Sequence, residues 1–231
     1  MTMTMTMHNV AMDIDFHAHI LPHCDHGSNG LQTSLQQLHL AADAGIHTVC
    51  ATPHFYPHQE NPDTFLARRA ECWSALQPHL TYACPRVLLG AEVLACVGLE
   101  KMENLNRLCL ADTNFLLLEM PFQRWSRAIL RTAQLLAARG DLQVVLAHAE
   151  RYPQSDVLEL MDSGVQVQVN ADILSQRLRG SMWRSMLADG EIWAVGSDIH
   201  GVHTGYKYWK YAKRIAGNGW NSMMEKLQSA V

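Results

Sequence analysis

Val10-Ala11-Met12-Asp13-Ile14-Asp15-Phe16-His17-Ala18-His19 opens the readable part of the chain, an apolar run closed by two histidines two residues apart. Far downstream, the apolar run Ile192–Gly196 is answered by Asp198-Ile199-His200 with the same spacing. Between them, Glu92, Glu119 and His148 each close a further strand-like segment, and His54 follows Val-Cys-Ala-Thr-Pro in the same manner. A parallel barrel brings the ends of all its strands to one face. Residues scattered over most of the sequence then meet in one pocket, and these are the residue types that hold divalent metals.

The rest of the pattern supports that reading. Strands are expected at Met12–Phe16, His47–Ala51, Val87–Glu92, Phe115–Glu119, Gln143–Ala147, Val165–Asn170 and Ile192–Gly196. Most are short apolar runs without polar alternation, as strands buried on both faces should be. Helical spacing lies between them. Leu31, Leu35, Leu38 and Ala42 recur before Gly45, Ser126–Arg139 carries an apolar stripe before Gly140, and Val157–Asp162 ends before Gly164. Strand and helix in alternation predict an α/β fold with a parallel sheet, closed or nearly closed. An open doubly wound sheet usually has a Gly-rich turn after its first strand; here His-Ala-His stands there. The stretch Pro53–Pro62 reads as a long loop on the pocket rim.

Composition sets the outer bounds. The 231 residues suffice for one barrel or two small domains, and no linker or repeat divides them. Met1–Met7 alternates Met and Thr without the basic start of a secretory signal, so residues 1–9 read as a leader outside a single domain of residues 10–231. Net charge is −4, which gives no argument for a nucleic-acid partner. Lys207, Lys210, Lys213 and Arg214 read as the solvated face of a helix, and Trp209 with Lys213 fits either surface or interface. No apolar run reaches the ~18 residues of a membrane helix. The six cysteines lack a Cys-x-x-Cys pair and read as reduced thiols in a cytoplasmic protein, Cys50 and Cys109 as core filler.

His17 and His19 lie on the same side of an extended strand, since residues i and i+2 point alike. Each His or carboxylate alone fits a core residue, a cap or a loop equally well; repetition at successive strand ends favours a shared site. The candidates exceed what one metal needs and suit two or three ions. Mixed imidazole and carboxylate ligands point to zinc, manganese or iron rather than calcium. Clustered divalent ions suit phosphoryl transfer, because they make water acidic and neutralise phosphate oxygens. Arg151 is the candidate for a two-pronged grip on a phosphate oxygen pair. The Cys-x5-Arg loop of thiol-dependent phosphatases, the Gly-x-Ser-x-Gly elbow and the P-loop are all missing from the sequence.

Taken in order, Asp15-Phe16-His17-Ala18-His19-Ile20-Leu21-Pro22, Ala51-Thr52-Pro53-His54, Gly90-Ala91-Glu92, Leu118-Glu119-Met120-Pro121, Ala147-His148-Ala149-Glu150-Arg151 and Ser197-Asp198-Ile199-His200 resemble the motifs of the PHP (polymerase and histidinol phosphatase) superfamily. Within it they are most similar to the bacterial manganese-dependent protein-tyrosine phosphatases of capsule and exopolysaccharide loci. The resemblance implies a distorted, seven-stranded (β/α)7 TIM-like barrel with a trinuclear site. His17, His19, Glu92 and Asp198 would hold one metal, Glu92 would bridge to a second held with Glu119 and His148, and His54 and His200 would hold the third. Arg151 would meet the phosphate, while Asp198 or His200 would help protonate the leaving group. The family's Asp-Asp-Gly is here Asp25-His26-Gly27, so either His26 or Asp25 ligates the third metal. The Arg that follows Asp-x-His in the family is also absent, with His203 or Lys207 as its substitute. The implied activity is metal-dependent hydrolysis of protein phosphotyrosine on a polysaccharide chain-length tyrosine kinase. The alternatives are a small-molecule phosphatase, as for histidinol phosphate, and a non-catalytic metal-stabilised regulator.

Overall fold

Three strands break in two, and each break hands the chain from one sheet to another. The computed structural model describes residues 12–202 and 205–231; the predicted leader and His203 lie outside them. Its strands are β1 (Asp13–His19), β2 (Ile46–Ala51), β3 (His54–Phe55), β4 (Arg86–Leu89), β5 (Glu92–Leu94), β6 (Phe115–Glu119), β7 (Gln143–Leu146), β8 (Gln166–Asn170), β9 (Ala194–Gly196) and β10 (Ile199–His200). Their order is β10-β1-β2-β4 in one sheet and β3-β5-β6-β7-β8-β9 in the other, and all their pairings are parallel.

The seven expected strands are thus ten segments. The expected strand Val87–Glu92 is interrupted at Gly90-Ala91, so β4 pairs with β2 while β5 pairs with β3 and β6. β2 and β3 part at Thr52-Pro53, where proline has no N–H to give a ladder. β9 and β10 part at Ser197-Asp198. Hydrogen bonds carry the wall across the breaks: Gly90 N donates to Ala51 O (2.9 Å), Glu92 N to Pro53 O (3.1 Å) and Asp198 N to His17 O (2.8 Å). Counted across these breaks, the segments fill seven positions of a curled, barrel-like wall. Each break sets a candidate ligand, His54, Glu92 or Asp198, just beyond a kink.

The helices are α1 (Leu31–Ala44), α2 (Pro62–Leu76), α3 (Arg127–Ala137), α4 (Gln154–Asp162), α5 (Ala171–Ser175), α6 (Ser181–Ala188), α7 (Trp209–Ala216) and α8 (Asn218–Ala230). Local chemistry explains several ends. Gly45, at φ 87°, closes α1 by donating to Ala41 and Ala42 carbonyls. The Asn61 side chain caps α2, with Pro62 in its first turn. The Ser126 hydroxyl accepts from Ile129 N to start α3. Pro53–Pro62 is shorter as a loop than expected, because β3 and the start of α2 take up its ends.

The wall is apolar on both faces. All five residues of β6 are buried, and so are Val144, Val145 and Leu146 of β7; each apolar side chain among them contributes about 1.5–3 kcal/mol on burial. Trp209 and Trp220 meet edge-on at 5.1 Å beneath β1. Trp209 is fully buried, so it belongs to the core and not to a surface. All six cysteines are free, and Cys50 and Cys109 are buried as expected. Among the described residues, no helix is long and apolar enough to cross a membrane.

Candidate metal centre

Glu92 is the hub, buried to 1% exposure with histidines on every side. Its Oε2 lies 3.3 Å from His17 Nε2, 3.2 Å from His19 Nε2 and 3.0 Å from His54 Nδ1. Its Oε1 lies 2.9 Å from His148 Nε2. Asp198 Oδ1 closes on the same pair, 3.5 Å from His17 Nε2 and 3.4 Å from His19 Nε2. Glu119 comes within 3.8 Å of His54 Nδ1 and 3.6 Å of His148 Nε2. The two Nε2 atoms of His17 and His19 face each other at 3.1 Å.

Several of these atoms are close without being bonded. Glu92 Oε2, both ring nitrogens of His54 and His200 Nε2 are buried and have no hydrogen-bond partner. His54 Nδ1 and Glu92 Oε2 are within ion-pair distance yet misaligned for a hydrogen bond, so distance alone overstates their mutual attraction. Lone pairs that converge without a proton between them suit a cation. Three sets of ligand atoms lie within 4.8 Å of one another: His17, His19 and Glu92; His54, Glu92 and Glu119; and His19, His54 and His200. The donor set, imidazole and carboxylate in a buried cluster, fits divalent transition metals.

The charge balance points the same way. Burial opposes ionisation of Glu92, yet His17, His148 and His19 hold its pKa well below the usual carboxylate range. Asp198 is likewise held low, against its burial, by His17, His19 and Arg151. Burial works against protonating His17, but Glu92 and Asp198 raise its pKa. Glu119 is pushed up to about 7 by burial and by Glu92 beside it. His200 is pushed down to about 4 by burial and by His19. Without a metal, protons on the histidines must supply the positive charge that the buried carboxylates require.

The site has a second layer. Asp25 Oδ2 accepts from His19 Nδ1 at 2.7 Å and from His54 N at 3.0 Å, and Oδ1 accepts from Gly27 N at 2.9 Å. His26 is exposed and stacks on His54 (4.7 Å, 11°) and on His200 (4.6 Å, 28°). Arg151 donates through Nη2 to Asp198 Oδ2. Gln168 joins two ligands: its Oε1 accepts from His148 N at 2.7 Å and meets His17 Nδ1 at 3.2 Å, and its Nε2 donates to Asn170 Oδ1 at 2.9 Å. Such outer partners fix the tautomer and angle of a ligating histidine.

Backbone shape completes the geometry. A Cβ on Gly27 would lie 2.1 Å from His19 Cβ, and one on Gly196 would lie 2.6 Å from His17 Cβ. Each histidine of the first motif is therefore pressed against a glycine. His148 and Asp198 adopt left-handed φ of 34° and 49°, a conformation that costs a side chain of this kind about 1 kcal/mol or more and is concentrated at working sites.

His17, His19, His54, Glu92, Glu119, His148, Asp198 and His200 lie in one cluster, while of the other two expected ligands Asp25 stands behind His19 and His26 stacks over His54 and His200. Tyr56, Phe122 and Leu94 join the ligands and Arg151 around a cavity of about 300 Å³. Sequence reasoning passed over Gln168 and Asn170. Their signal was available: Gln166, Gln168 and Asn170 alternate with valines, so Gln168 and Asn170 share one side at the strand's end as His17 and His19 do.

Comparison with known proteins follows the same lines. Residues 13–214 match the family model described as capsular polysaccharide synthesis, CpsB/CapC. The tyrosine-protein phosphatase YwqE of Bacillus subtilis is 29% identical over 203 residues, which is 83% of this chain and 78% of that protein. A solved structure from work on YwqE of Bacillus subtilis and CpsB of Streptococcus pneumoniae, described as unique metal-dependent tyrosine phosphatases, covers 94% of this chain and 93% of its own at a TM-score of 0.78 and 24% identity. The lactonase Lmo2620 of Listeria monocytogenes shares the fold more distantly, with a TM-score of 0.51 at 8% identity over 94% and 92% of the two chains.

Proposed function

The chain belongs to the CpsB/CapC family of capsular polysaccharide synthesis, and from that premise we propose that it is a metal-dependent phosphatase of protein phosphotyrosine. The observation that carries the proposal is the convergence of unpartnered His54, His200 and Glu92 atoms on one buried cluster. The phosphatase domain spans residues 10–231, with residues 1–9 outside it. Manganese is the preferred ion, the protein works in the cytoplasm, and its substrate is the phosphorylated tail of a tyrosine kinase that controls polysaccharide chain length.

His17, His19, Glu92 and Asp198 would hold one ion, Glu92 with Glu119 and His148 a second, and His54 with His200 a third. When bound, the ions make water acidic and neutralise phosphate oxygens. Asp25, its oxygens engaged by His19, His54 and Gly27, orients His19 rather than ligating. His26 closes the outer side of the third set. Arg151 stands at the cavity edge, aligned by Asp198, and offers its fork to the phosphate. Asp198 stays ionised beside Arg151, so it is no proton donor: Oδ1 would face the ion and Oδ2 orients that fork. His200 donates from Nδ1 to the Asp198 carbonyl at 3.0 Å, so its unpartnered Nε2 would hold the third ion by its lone pair and is no proton donor to the leaving phenolate. Water displaces the phenolate at phosphorus, giving tyrosine and inorganic phosphate.

The test is hydrolysis of a phosphotyrosine peptide and of histidinol phosphate by metal-stripped protein, with Mn²⁺, Zn²⁺ or Mg²⁺ added back, beside His148→Ala. Metal-dependent turnover of the peptide, lost in His148→Ala, is the expected result. Preference for histidinol phosphate moves the protein to small-molecule metabolism. Metal binding without turnover of either makes it a regulator.

A further inference from the structure

Two aromatic rings flank the mouth of the cavity, and neither has a part in holding metal. Tyr56 lies just after β3, half-exposed, its ring stacked on His54 at 5.3 Å and 15°. Phe122 lies in the segment between β6 and α3, its ring parallel to His148 at 6.3 Å and 10°. It is 72% exposed, although Met120 and Trp125 of the same segment are buried. A lone exposed phenylalanine is ordinary. Here the two rings line one cavity, and each rests on an imidazole that itself touches Glu92.

We infer that Tyr56 and Phe122 form an aryl wall that selects the phenyl ring of the substrate and discriminates against alkyl phosphates. The inference rests on the phosphatase reading for the position of the phosphate, which Arg151 and the metal ligands mark on the same cavity. A phosphate at that depth leaves its ester group at the mouth, between the two rings. A phenyl ring there reaches aromatic neighbours within the ~4.5–7 Å range over which rings attract one another. The methylene of an alkyl phosphate is too small to touch either wall. The two rings thus act on specificity and take no part in the reaction itself.

The discriminating experiment is binding, not turnover. Phenylphosphonate and methylphosphonate share the anion and resist hydrolysis, so the ratio of their dissociation constants isolates the ring. Both are titrated into Mn²⁺-loaded protein by calorimetry. Wild type is expected to favour phenylphosphonate by about tenfold or more. Phe122→Ala and Tyr56→Ala should each lose most of that preference and leave methylphosphonate within about twofold, because neither ring meets the anion. Tyr56→Phe should keep the preference, since the ring and not the hydroxyl carries it. Thermal melting confirms that each variant is folded. Equal binding of the two phosphonates by wild type, or an unchanged ratio in both alanine variants, overturns the aryl wall alone. Parallel weakening of both ligands also overturns it, because the rings would then act through His54 and His148. Failure to bind either phosphonate counts against the phosphatase reading, which the peptide assay tests separately, and overturns the aryl wall with it.

Discussion

Asp13 and His17 stand on the same strand, both buried to 2% or less, yet their surroundings differ in kind. Around Asp13, Trp209 Nε1 donates at 3.0 Å, Trp220 Nε1 at 3.1 Å and Lys213 Nζ at 2.8 Å. Asp15, two residues on, accepts from Ser197 N at 2.8 Å, Ser197 Oγ at 2.6 Å and Tyr206 OH at 2.7 Å. Each acid at the lower end of β1 thus has donors of its own: Asp13 fastens α7 and α8 to the sheet, and Asp15 fastens the break after β9 and the turn before α7. At the upper end, His17 and His19 face carboxylates and each other, and neighbouring atoms stay unpartnered. Burial alone therefore does not mark a working residue. What marks the site is several unsatisfied atoms converging on one cluster, from His54, Glu92, His148 and His200, whereas those of Gln37, Gln166 and Trp193 stand outside it.

That contrast is open to attack, and the hardest blow is Glu92→Gln. It removes the shared charge of the upper cluster while keeping its shape. Phosphotyrosine hydrolysis should fall by at least about a thousandfold, or about 4 kcal/mol in the barrier. The metal-free protein should still fold, melting somewhat lower because Glu92 no longer pairs with His17, His19 and His148. A folded, fully active Glu92→Gln protein would mean that the upper cluster is as structural as the lower one.

Asp13→Ala should do the reverse. It strands two buried indole N–H groups and releases the part-exposed Lys213 ammonium to water, costing about 3 kcal/mol of stability. Urea titration reads the loss, and the fraction still folded should retain its specific activity. A fall in activity without a fall in stability would erase the difference between the two ends.

Gln168→Leu probes the boundary between them, because Gln168 touches the ligands without facing the cavity. It should weaken Mn²⁺ binding by about 10–100-fold, the usual effect of losing an outer partner of a histidine ligand. Unchanged affinity in a calorimetric titration would make the glutamine a bystander.

The mildest probe is pH. Glu119 is pushed up to about 7 from an ordinary value of 4.5, and only its ionised form can hold a cation. Mn²⁺ affinity should therefore level off above about pH 7 and fall up to tenfold per unit below it, as protons compete. In the metal-free protein the sign for folding stability is opposite. The carboxyl binds its proton more tightly folded than unfolded, so its contribution grows as the pH falls from 7 towards 4.5. Glu119→Gln should flatten both dependences relative to wild type; identical pH profiles for the two proteins would remove Glu119 from the site.

Much of this was written locally. The alternation of short apolar runs with helical stripes yielded the α/β class, and Gly45 and Ser126 sit where the helix rules require them. The ligands were legible because each ends an apolar run, a place where buried strand meets open barrel mouth. The breaks in the wall were not. Val87–Glu92 reads as one strand because its apolar residues are continuous, and nothing in six residues reveals that Leu89 and Glu92 will pair with different neighbours. Gln168 and Asn170 were overlooked for a different reason: amides hold metals poorly, and their value lies in what they grip.

The sequence by itself determined the chemistry available: which histidines and carboxylates exist, and that each follows a run able to form a buried parallel strand. Tertiary structure decided which of them share a cation. The spacing of His17 and His19 is a property of one strand, but the contact between Glu92 and His148, 56 residues apart, depends on the register of strands that meet only when the wall curls. It also decided which buried acids are spent on structure. Asp13 and Asp15 differ from Glu92 and Asp198 not in residue type but in the donors that distant helices and loops bring to them, and those donors arrive only with the fold.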